Sequence, residues 1–211
     1  MVKLLLVEDD ASLAYIEKTG LEDIIGGYDV TTEWQKFDYE GTIRIAVPAM
    51  KLLQEKEFTM STDYANLQTF LGCCQLRLGH KEDAANSFAL AWQHFLQATE
   101  SSDDIANYTS AIIGIVTITD TYIQTGHDQE AKDWTDRFDS MLLRYRQHPQ
   151  SDDNFIDKQW ARLNFYRACI LERQNERVEA QKAYQVALTT KYAKTSDGQI
   201  EATSYLMEAG R

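Results

Sequence analysis

The chain reads as a mainly α protein: an antiparallel helix-hairpin solenoid over residues 36–211, preceded by a short β-α-β unit over residues 1–34. Three observations carry that reading. First, Leu78–Ala91 (LGHKEDAANSFALA), Thr125–Phe138 (TGHDQEAKDWTDRF) and Gln174–Ala187 (QNERVEAQKAYQVA) repeat one pattern. Each has a turn residue, a polar run, an Ala, and then an aromatic or its equivalent. Second, apolar residues beyond position 36 recur at helical spacing. Third, 2 Pro and 10 Gly among 211 residues leave little material for the many tight turns of a β-sandwich. Self-similarity of this kind marks an array of helical hairpins. Such arrays present a surface to another molecule, so the expectation is a binding protein and not an enzyme.

The first element is different in kind. Val2–Val7 (VKLLLV) is a short continuous apolar run, as in a buried parallel strand. Glu8, Asp9 and Asp10 follow it. Ala11–Ile25 reads as a helix, Gly26-Gly27 ends it, and Tyr28–Thr32 is strand-like. Residues 1–34 thus resemble the start of a bacterial response-regulator receiver domain, whose fold is doubly wound. In that family an acidic pair after the first strand binds Mg²⁺, so the resemblance implies Glu8 and Asp9 as metal ligands. Clustered carboxylates suit a hard cation. The acceptor Asp on a third strand, and the Thr or Ser and Lys after it, have no counterpart in residues 35–60. Ile112–Asp120 (IIGIVTITD) is strand-like in composition, but it falls where the helical register requires a helix.

Asp38–Met50 reads as a helix with Ala46 and Ala49 in its packed series, strained by Pro48. Next come Leu71-Gly72, Gly79, Ala84, Phe88 and Ala91. The second unit offers Ile118, Tyr122, Gly126, Ala131 and Phe138; the third offers Ala168, Leu171, Asn175, Ala180, Tyr184 and Ala187. These residues resemble the tetratricopeptide repeat, a helix–turn–helix unit of about 34 residues. The Gly79–Gly126 and Gly126–Asn175 intervals are longer than that, which predicts long helices over Asp103–Gln124 and Asn154–Gln174. Ser102, Ser151 or their Asp neighbours would cap them. Gln199–Gly210 reads as one more first helix, with Gly210 at its turn.

A net charge of −12 disfavours nucleic acid and anionic membrane surfaces as partners. No apolar run approaches the length of a membrane span. Three cysteines, two of them adjacent, form no disulfide framework, which points to a reducing, cytoplasmic setting. Cys73 and Cys169 read as small apolar residues at helix crossings. No nucleophile–base pair or phosphate loop has local support, and no cofactor is expected beyond Mg²⁺ at the receiver-like pair.

In tetratricopeptide proteins the first helices line the concave face. The resemblance therefore places Arg77, Asp120, Arg162, Phe165, Tyr166 and Arg173 along one binding groove for a protein or peptide. The arginines could grip carboxylates or be spent on internal ion pairs. The leading expectation is a peptide-binding scaffold, a sensory or regulatory module of two-component signalling. A receiver-derived phosphorelay protein and a fused chain without a native ligand stay open as alternatives. Oligomeric state is not legible.

Overall fold

The structure, a computed structural model, describes residues 39–55 and 62–209. The expected β-α-β unit, with Glu8 and Asp9, lies outside the described residues, as does the expected turn at Gly210. What is described is mostly helical, and no strand occurs among these residues.

Helix α1 (Tyr39–Glu55) runs through Pro48. The proline is exposed, so the carbonyl it leaves without a donor falls on the solvent side. Three helix hairpins follow. They are α2 (Thr62–Arg77) with α3 (Lys81–Ser101), α4 (Ile105–Gln124) with α5 (Asp128–Gln147), and α6 (Asp153–Arg173) with α7 (Arg177–Thr189). A single 3-10 turn (Tyr192–Lys194) leads to α8 (Ser196–Ala209). Ile112–Asp120 falls inside α4. Asp104 and Asp152 cap α4 and α6, each accepting a backbone N–H two residues on.

The three hairpin turns are alike in detail. Gly79, Gly126 and Asn175 adopt φ of 83°, 74° and 65°. This left-handed conformation costs glycine nothing, and asparagine tolerates it better than most residues. Each of these residues donates its N–H to the carbonyl three residues back. The following residue donates to the carbonyl five back: His80 to Gln75, His127 to Tyr122, Glu176 to Leu171. These paired bonds satisfy the orphan carbonyls at a helix end. The second helix then starts with Ala84, Ala131 or Ala180 bonded back to that same following residue.

Within each hairpin the two helices pack closely, and α2 also packs on α4, α4 on α6, and α6 on α8. The first helices thus form one layer and α3, α5 and α7 the other. Small residues stand where the layers meet. Ala84, Ala131 and Ala180 are fully buried. A Cβ added to Gly72 would stand 2.5 Å from the Phe88 ring, and one on Gly114 would stand 2.5 Å from Phe95. Aromatics join one hairpin to the next. Phe88 meets Tyr122 at 5.2 Å and Trp134 at 6.1 Å between ring centroids, and Arg137 caps Trp134 at 4.4 Å. Tyr145 meets Phe155 at 4.9 Å. Burying each such ring contributes about 1.5–3 kcal/mol. A smaller cluster of Met50, Tyr64 and Leu71 seats α1 against α2.

Candidate functional site

The first-helix layer gathers the polar side chains of most interest. Asp120 comes from the last turns of α4, Arg162 and Tyr166 from the middle of α6, and Glu201 and Tyr205 from α8. Glu201 and Tyr205 are four residues apart, so they share one face of their helix. Tyr205 donates to an Asp120 carboxylate oxygen at 3.0 Å, and the nearest Glu201 oxygen is 3.4 Å from the same hydroxyl. Arg162 Nε donates to Glu201 in a short, charge-assisted contact. Tyr192 of the 3-10 turn donates to the other Glu201 oxygen at 2.6 Å. The Tyr205 ring stacks on Phe165 at 5.8 Å and meets Tyr166 edge-on at 5.1 Å.

Burial dominates the electrostatics of this cluster. It pushes the Asp120 carboxyl up to about 6, against the pull of Arg162 and the tyrosine hydroxyls, while Glu201 adds to the push. Burial, reinforced by Asp120, also drives the Tyr205 and Tyr166 hydroxyls well above the usual phenol range. Both phenols therefore act as neutral groups. The Tyr166 hydroxyl is buried beside Asp120 and Tyr205 and helps to favour the Asp120 charge.

The six groove residues expected from sequence fall into two sets. Asp120, Arg162, Phe165 and Tyr166 come together, with Phe165 and Tyr166 fully buried beneath α8. Arg77 and Arg173 lie toward the hairpin turns. Arg77 donates to Gln124 at 2.7 Å, tying α2 to α4. Arg173 donates to the Ile123 carbonyl and to Asp128, each at 2.8 Å, tying α6 to the second hairpin turn. Internal pairing of the arginines is thus what the structure shows. Among their partners are Gln124 for Arg77, Asp128 for Arg173 and Glu201 for Arg162.

Sequence reasoning missed Glu201, Tyr205 and Tyr192. The one available signal was a Glu and a Tyr one helical turn apart in a segment already read as a first helix.

The thiols are inert by environment. Cys73, Cys74 and Cys169 are buried and unbridged. Burial pushes Cys73 up to about 11 and Cys74 to about 12. The Thr121 hydroxyl lies 3.2 Å from the Cys73 sulfur, a contact across the α2–α4 crossing. No group of His, Cys, Asp or Glu among the described residues is arranged to hold a metal. No described helix is long and apolar enough to cross a membrane. Compared with known families, curated proteins and solved structures, the chain matches none of them.

Proposed function

We propose that this chain is a tetratricopeptide-like helical scaffold that recognises a protein or peptide on the layer formed by its first helices. The observation that carries the reading is the threefold recurrence of one turn. A left-handed residue, two fixed backbone bonds and a buried alanine recur at Gly79, Gly126 and Asn175. Units built alike stack alike, and a small rotation per unit makes the first-helix side concave. Arg, Tyr and Phe gathered on that side are residue types that anchor interfaces. The receiver-like residues 1–34 tie this reading to two-component signalling. Without an acceptor strand they supply no phosphoryl chemistry of their own.

The test is selection of peptide ligands from a displayed library, followed by affinity and melting measurements on variants. Arg77→Ala and Arg162→Ala weaken a selected peptide by more than about 1 kcal/mol. Lys132→Ala and Arg146→Ala, exposed on α5, leave it unchanged. Equal losses on both layers, or losses that track unfolding alone, would overturn the reading.

A further inference from the structure

Helix α8 holds on differently from the helices before it. Along α2, α4 and α6 the buried stretch is long and mostly apolar. Along α8 the side chains seen to be buried are Ala202 and Tyr205, and its far side exposes Ile200 and Met207 at 69% and 67%. Its polar contacts gather at one place, Tyr205 on Asp120 and Glu201 between Arg162 and Tyr192, beside the Tyr205 ring packed on Phe165 and Tyr166. Buried ion pairs add little net stability, because desolvation offsets their attraction. The side chains that α8 covers are those suited to holding a partner, namely Arg162, Phe165 and Tyr166.

We propose that α8 is an internal occupant of the recognition face, displaced by a partner helix that carries a carboxylate and an aromatic hydroxyl one turn apart. The inference rests on the function proposed above and names both its ligand class and its regulation. The chemistry follows from what α8 leaves behind. Removing it takes the Glu201 carboxylate from Arg162 and the Tyr205 hydroxyl from Asp120, and it uncovers the Phe165 and Tyr166 rings that Tyr205 packs on. A helix presenting Glu and Tyr at i and i+4, with a small residue such as Ala202 between them, restores all three contacts. A helix lacking either group leaves a buried polar atom unmet, at a cost that sets specificity. Displacement also lowers the apparent affinity of any partner by the fraction of time α8 is docked. That is the signature of self-occupancy.

The test uses a labelled peptide of residues 196–209 with the full chain and with its Glu201→Ala/Tyr205→Ala variant, whose own α8 has lost both anchors. The peptide binds the variant at least about tenfold more tightly than the unaltered chain. The same peptide carrying the two alanines does not bind the variant. Equal affinity for both chains, or no binding to a variant that circular dichroism shows to be folded, would overturn the proposal. If the variant fails to fold, native-state hydrogen exchange on the unaltered chain decides. Amides of α8 exchange through an opening that leaves α6 protected; protection of α8 equal to that of α6 would overturn it. The peptide is the chain's own segment, so its failure bears on α8 alone. Failure of selected peptides to map to the first layer would bear on the function.

Discussion

Tyr205 donates a 3.0 Å hydrogen bond to Asp120 across 85 positions of sequence, reaching past α6 to tie α8 to α4. The bond brings a carboxylate into a layer where burial disfavours its charge. Charged and titratable groups facing it are Arg162 on α6, Glu201 on α8, the hydroxyls of Tyr166 and Tyr205, and more remotely the Cys73 thiol on α2.

That burial has a sign. Asp120 rises from 3.8 in the unfolded chain to about 6 in the folded one. Its contribution to stability is complete below the lower value and is lost as pH rises through the upper one. Asp120→Asn keeps an acceptor for Tyr205 and removes the charge. The variant is therefore more stable than the parent by about 1–2 kcal/mol at pH 7.5, and the gap closes toward pH 4. Melting curves of both proteins from pH 4 to 8 check this. A difference independent of pH would contradict it.

The third hairpin turn carries the strain that the first two avoid. Asn175 holds φ of 65° where Gly79 and Gly126 stand in the other turns. Asn175→Ala destabilises by about 1 kcal/mol, and Asn175→Gly does not. Denaturant midpoints of the two variants read this directly. Equal loss in both would show that the asparagine side chain, not the backbone, matters at this turn.

The glycine crossings are tighter than the turns. Gly72→Ala and Gly114→Ala push a methyl into Phe88 and Phe95, which are themselves buried. Each costs about 1–3 kcal/mol through overpacking. Ala84→Leu and Ala131→Leu fall in the same range. Thermal melting of the four variants tests the helix register; parental melting temperatures in all of them would break it.

Native thiols stay unreactive. With burial raising Cys73 to about 11 and Cys74 to about 12, almost no thiolate exists at pH 8. A disulfide reagent labels the folded chain at least about a hundredfold more slowly than free cysteine. All three thiols label in denaturant. A fast-reacting thiol in the folded chain would restore the reading of a reactive groove cysteine.

Much of the helical core was legible because its constraints are local. Gly79 and Gly126 mark left-handed turns, and Ala84, Ala131 and Ala180 mark crossings at a fixed distance beyond them. The β-branched run in α4 looked like a strand by composition. Thr117, Thr119 and Thr121 settle into the helix by bonding the carbonyl four residues back. Pro48 was read as strain and is accommodated on an exposed side of α1.

The site was less legible. Arg162 finds Glu201 across 39 positions, and which carboxylate an arginine meets depends on how neighbouring helices lie together. The close approach of Gly114 to Phe95 also escaped notice.

The most direct measurement is hydrogen exchange on the chain with and without a selected peptide. The account predicts new protection on α2, α4 and α6, together with lost protection on α8 as it gives way. Protection confined to α3, α5 and α7, with α8 unchanged, would contradict it.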